Sequence, residues 1–186
     1  HIKHKYKTFL ITSSLENEGK SSVSVNLAIS LAKNKHKVLL VDGDMRKPAL
    51  HKIFEYVPEN TLVEILNEDE AWKKCLVHLD RENIDVIFST PCNDSQELLS
   101  EKFQGFIRKA KRSYDYVIID SAPSRYIHDT SMISSLCDAT LLVVQQNTTA
   151  CKVINDTIYQ LVNNGANVIG TIFNGSVYDF TRVRSS

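Results

Sequence analysis

The chain has 186 residues, 42% hydrophobic and 24% charged, with 22 basic side chains balancing 22 acidic ones. That size suits one soluble globular domain, able to bury roughly 70% of its unfolded surface in a three-layer core. The formal net charge of +0 gives nucleic acid or an anionic membrane no hold as a main partner.

The elements are taken in chain order. The short basic start His1–Lys7 reads as a solvated tail. Thr8–Thr12 is a continuous apolar run and predicts a buried strand, followed by the loop Ser13–Gly19. Val23, Val25, Leu27, Ala28, Leu31 and Ala32 then lay an apolar stripe on a helix beginning near Lys20. Lys37–Asp42 is the second predicted strand, and Pro48 fits the first turn of a short helix through Phe54. Trp72 and Phe54 are expected to pack a helical excursion between Lys47 and Lys74. Ile84–Thr90, Tyr116–Asp120, Ala139–Gln145 and Ala166–Asn174 complete the strands. Glu97–Ala110 is patterned as a helix, with Asp94 and Glu97 as a capping pair.

Uninterrupted apolar runs argue burial on both sheet faces, hence parallel strands under helices. The fold expected is α/β: a three-layer, doubly wound, P-loop NTPase fold with a mainly parallel sheet, binding ligands at the strands' carboxyl ends. Cys75, Cys92, Cys137 and Cys151 show no CxxC spacing and read as free thiols of a reducing cytoplasm. No apolar run approaches the ~20 residues of a membrane span. The absence of an initial Met suggests an excised piece.

The loop before the first helix carries the chemistry. Glu18-Gly19-Lys20-Ser21-Ser22 stands between a strand and a helix, where the helix's first backbone N–H groups and its dipole favour an anion. Lys20 would reach the β- and γ-phosphates of a nucleotide and Ser21 would ligate Mg²⁺. The full GxxxxGK[ST] pattern would need glycine at Ser14. Asn17 tolerates the left-handed backbone that such a turn requires. Glu16 and Glu18 are expected to point outward, away from phosphate.

Asp42 and Asp44 follow one predicted strand and Asp120 ends another. Singly, each reads as well as a turn or capping residue. Together, in order on successive strands with Lys20, they fit a Mg²⁺–ATP site. One or two carboxylates suffice for the metal, leaving another free as a base toward an incoming hydroxyl.

With these segments assembled, the chain resembles the cytoplasmic domain of bacterial tyrosine kinases (BY-kinases) from capsule and exopolysaccharide systems. Ser13–Ser22 is similar to the family's Walker A motif, Asp42-Gly43-Asp44-Met45-Arg46-Lys47-Pro48 to Walker A′, and Ile118–Pro123 to Walker B. Asn93–Leu99 resembles a further family segment, with Asp94 in place of proline. The resemblance implies ATP and Mg²⁺ as cofactors, with Asn17, Glu18, Gly19, Lys20, Ser21 and Ser22 around the phosphates. It implies that Ser21 and Asp42 hold Mg²⁺ and that Asp120 positions it through water. Asp44 would assist the metal or deprotonate a tyrosine, and Asn174 would lie against adenine.

The partners implied are neighbouring kinase subunits in a ring and a membrane activator (a polysaccharide co-polymerase), fused or separate. That would place the domain at the inner face of the cell membrane. One kinase domain spanning 1–186 is expected, lacking the oligomerisation helix and the tyrosine-rich tail, with Tyr178 alone near the end. Two alternatives remain: a P-loop ATPase switch of the partitioning type, which would carry a lysine where Leu15 stands, and a nucleotide-binding scaffold without turnover.

Overall fold

The computed structural model describes residues 6–67, 71–92, 101–124 and 127–175. The expected features at His1–Lys5, Asn93–Leu99 and Tyr178, with the Asp94–Glu97 cap, lie outside those residues. Seven strands form one sheet in the order β3-β4-β2-β5-β1-β6-β7. Strand β1 (Thr8–Ser13) lies between β5 (Tyr116–Ser121) and β6 (Ala139–Gln145), parallel to both. Strand β2 (Val38–Gly43) runs parallel between β5 and β4 (Ile84–Ile87), and β7 (Val168–Asn174) is parallel to β6. Strand β3 (Val77–Leu79) pairs antiparallel with β4.

Helices cover both faces, as expected for strands whose side chains are apolar on either side. Helix α1 (Lys20–Lys33) buries Val25, Ala28 and Ala32 against Ile11, Leu40, Ile118 and Val143. On the other face, α3 (Leu62–Asn67), α4 (Glu101–Ser113) and α5 (Ile127–Leu136) pack on Leu10, Leu39, Val41, Val117 and Ile119. Helix α4 does so through Phe103, Phe106, Ile107 and Ala110, the i, i+3, i+4, i+7 stripe that one helix face presents. Burying a phenylalanine as completely as Phe103 contributes about 1.5–3 kcal/mol. Helix α6 (Cys151–Asn163) closes the sheet's end, with Leu161 against Leu142 and Val144.

Three local expectations are corrected. The Ile84–Thr90 run is a strand only to Ile87, because the chain then leaves the sheet. There the Phe88 carbonyl accepts from Leu62 N (2.8 Å), and the Ser89 hydroxyl donates to the Asp42 carbonyl (2.6 Å). The last strand starts at Val168 rather than Ala166, and Asn167 Nδ2 instead donates to the Asp138 carbonyl at 2.7 Å. Pro48 precedes the short helix α2 (Leu50–Ile53), whose N-cap is Ala49.

Asp138 fastens three elements at the amino edge of the sheet. Its Oδ2 accepts from the backbone N–H groups of Lys7 (2.8 Å) and Thr8 (3.0 Å), and its Oδ1 pairs with Lys111 at the end of α4. Partial burial would raise the carboxyl, but these hydrogen bonds outweigh it and hold the group below the usual carboxylate range.

Candidate nucleotide and phosphoryl-transfer site

The strand order puts the ends of β1, β2 and β5 side by side, and the loops leaving those three strands converge there. Gly19 caps α1 with φ 87°, and no side chain caps the helix. Its first N–H groups are therefore left to an outside acceptor. Asn17 adopts φ 63°, the left-handed turn that its identity tolerates. A Cβ on Gly19 would stand 2.0 Å from Asn174 Nδ2 and displace that amide, and the φ of 87° favours glycine besides. Asn174 Nδ2 donates to the Glu18 carbonyl at 2.9 Å, clamping the loop from the side.

A cavity of about 480 Å³ opens over this turn. Its walls include Asn17, Gly19, Lys20, Ser21 and Ser22 from the loop, Asp44, Arg46 and Lys47 from the segment after β2, and Pro123 after β5. Lys20 Nζ lies 3.4 Å from Asp44 Oδ2, and both side chains are nearly buried. Asp44 Oδ1 also accepts from Lys47 N at 3.0 Å.

Asp42 and Asp120 sit behind that pair, fully buried and side by side in register on β2 and β5. Gly43 permits this approach, since a Cβ there would meet the Asp120 carbonyl at 2.9 Å. Asp42 Oδ2 accepts from Ala49 N and Leu50 N, each at 3.1 Å, and Oδ1 from Asp44 N at 3.3 Å. Asp42 therefore caps α2 from behind the cavity. Burial first, and then Asp120 beside it, raise its carboxyl well above the ordinary range, against the pull of the Leu50 N–H.

Asp120 is pushed up to about 6, by burial above all, while Lys20 and the Ser21 and Ser24 hydroxyls act in the opposite sense. Ser24 Oγ donates to Asp120 Oδ1 at 3.1 Å, whereas Asp120 Oδ2 is buried with no hydrogen-bond partner among the described residues. A buried oxygen left so is costly. With the Ser21 hydroxyl beside it, it fits a water or a cation's bound water, while no three acidic, His or Cys side chains among the described residues are grouped to hold a metal directly. The uncapped helix start, Gly19 and Lys20 fit phosphate.

The two loop glutamates depart from their expected outward placement. Glu18 is completely buried behind the cradle. Its carboxylate accepts from Leu15 N (2.7 Å), Thr149 Oγ1 (2.5 Å) and Gln145 N (3.3 Å), so it belongs to the loop's support rather than to its phosphate face. Glu16 lines the cavity and pairs with Lys47 at 2.8 Å. Sequence reasoning passed over Ser24, which a four-residue step along α1 from Lys20 would have indicated. It also passed over Thr149, which carries no local signal.

Comparison with known proteins places the fold in a family. A family described as an AAA domain matches residues 16–171. Tyrosine-protein kinase CpsD of Streptococcus pneumoniae is 31% identical over 173 residues, covering 91% of this chain and 76% of its own length. Tyrosine-protein kinase etk of Escherichia coli (strain K12) is 29% identical over 170 residues, 90% of this chain. The chain spans only 23% of that relative's length. The solved kinase domain of Escherichia coli tyrosine kinase ETK superposes with a TM-score of 0.89 at 27% identity, covering 100% of this chain and 71% of that one. No helix among the described residues is long and apolar enough to cross a membrane.

Proposed function

The chain belongs to the AAA-domain family and, within it, to the bacterial tyrosine kinases, and from that premise we propose that it transfers the γ-phosphoryl group of ATP to tyrosine side chains. The observation that carries the proposal is the meeting of Lys20, Ser21 and three acidic residues at the ends of β1, β2 and β5.

The start of α1 and Lys20 would bind the β- and γ-phosphates, Lys20 exchanging its Asp44 partner for phosphate. Ser21 and Asp42 would hold Mg²⁺, and Asp120 would orient a metal-bound water through Oδ2. Mg²⁺, when bound, supplies charge neutralisation on the phosphate oxygens. Asp44, which lines the cavity, would, once released by Lys20, assist the metal or take the proton of an incoming phenol. The phenol oxygen then bonds to the γ-phosphorus as the bond to the β-γ bridging oxygen breaks, and ADP leaves. Asn174 would lie against adenine while its amide keeps hold of the Glu18 carbonyl.

Relatives named for kinases support this reading over a partitioning ATPase, as does Leu15 in the place of that class's lysine. By the same resemblance, the acceptors are tyrosines of neighbouring subunits. The setting is capsule or exopolysaccharide synthesis and export, beside a membrane activator. The test is phosphotyrosine formation from Mg²⁺–ATP on a tyrosine-containing peptide, with the activator's cytoplasmic segment present, beside a Lys20→Met control. Signal lost in the control supports the kinase reading. Tight ATP binding without phosphotyrosine under those conditions leaves a nucleotide-holding scaffold.

A further inference from the structure

Glu18 is a buried charged side chain that the phosphoryl chemistry does not use. Its neighbours Gly19 and Lys20 face the cavity, yet its own carboxylate points the other way and ends 0% exposed. Such a group is tolerated only where donors surround it. Here there are three, and they come from two parts of the chain. Oε2 takes the N–H of Leu15, at the near end of the same loop. Oε1 takes the N–H of Gln145, in β6, and the hydroxyl of Thr149, just before α6. The residue's backbone is held as well, because its carbonyl accepts from Asn174 in β7.

We infer that Glu18 is the positioning residue of the cradle. It pins the turn of residues 15–18 closed and ties it to the β6–α6 connection, so that the N–H groups of α1 are aimed before any nucleotide arrives. This rests on the phosphate-binding reading of the loop for its functional consequence, though not for the tether itself. Leu15 and Glu18 close the turn in which Asn17 holds φ 63°, a conformation that strains a non-glycine residue unless neighbours fix it. A cradle ordered in advance spares the nucleotide the entropy of ordering it. Released, the loop would sample other shapes, weakening binding while leaving Lys20, Asp44 and the chemistry at saturation intact.

The test uses Glu18→Gln in the full chain. Glutamine keeps the volume but has one oxygen and one NH₂, so whichever way it turns, an amide hydrogen meets a donor and one tether breaks. Without nucleotide, amide exchange at Leu15 or Gln145 should quicken at least tenfold, while Leu10 and Ile11 in β1 keep their protection. With nucleotide, Kd for ADP and KM for ATP should rise about tenfold, with kcat within twofold of the parent. Thr149→Val should give a smaller change of the same kind. Thr149→Ser, which keeps the hydroxyl, should match the parent.

Unchanged exchange at both amides would overturn the inference. So would exchange quickening throughout β1, which would mark a general support of the fold, or a fall in kcat at unchanged KM. Failure of the parent chain to bind ADP would instead remove the phosphate-loop reading, and the exchange comparison without nucleotide would still decide the tether.

Discussion

At the scale of single residues, the site sets narrow tolerances. Gly19 is held between a positive φ and the Asn174 amide at 2.0 Å from where a Cβ would be. Gly19→Ala should weaken ADP binding at least tenfold and cost about 1–2 kcal/mol of stability. Asn174→Ala in the same chain should recover part of the stability by making room, which a thermal melt of the pair checks. Asp120 carries a second prediction. Its folded carboxyl titrates at about 6, above its ordinary value, so its share of stability is complete below pH ~4 and lost as pH rises through 6. Asp120→Asn should therefore stabilise the nucleotide-free chain at pH 8 by roughly 2–3 kcal/mol, and hardly at all at pH 4, while abolishing phosphoryl transfer. Urea unfolding at the two pH values reads the difference. Lys20 and the aspartates were legible because their identity and place after strands sufficed. The burial of Glu18 was not, since its partners lie 127 and 131 positions away and no local pattern marks Gln145 or Thr149.

At the scale of elements, the long strands and α1 followed from apolar runs and spacing. The departures came where an outside partner overrode the run. Phe88 continues the apolar run, but its carbonyl accepts from Leu62 and the next residue's hydroxyl, on Ser89, donates to Asp42, ending β4. Three-residue β3 is too short to show any period. Asp138, which belongs to no sequence motif, joins β1, α4 and β6. Asp138→Ala should cost about 2 kcal/mol at neutral pH through the lost backbone acceptor. Its folded carboxyl is depressed, so this contribution stands above pH ~4 and disappears as pH falls through the folded value. The variant and parent should converge in stability as the pH falls below that value, which denaturant melts at graded acid pH would show.

At the scale of the whole molecule, the site joins segments from both halves of the chain, so nucleotide should stabilise the fold as one unit. Saturating ADP at about a hundred times its Kd should add about 2.7 kcal/mol. That corresponds to roughly 5–10 °C in Tm for a chain of this size, and it should be absent in Lys20→Met. The doubly wound arrangement was legible because parallel strands under helices leave one edge for ligands. The same strand order bears on how the protein is made. Of these strands, β1 and β2 are made first but are separated in the sheet by β5, which pairs with both. About 70 further residues must be translated before β5 appears, a wait of several seconds at about 5–20 residues per second. Through that interval two apolar strands stand unpaired with each other, and the phosphate loop has no sheet to rest on. The nascent chain is thus most exposed to mispairing and chaperone capture in the window that closes when Ser121 leaves the exit tunnel.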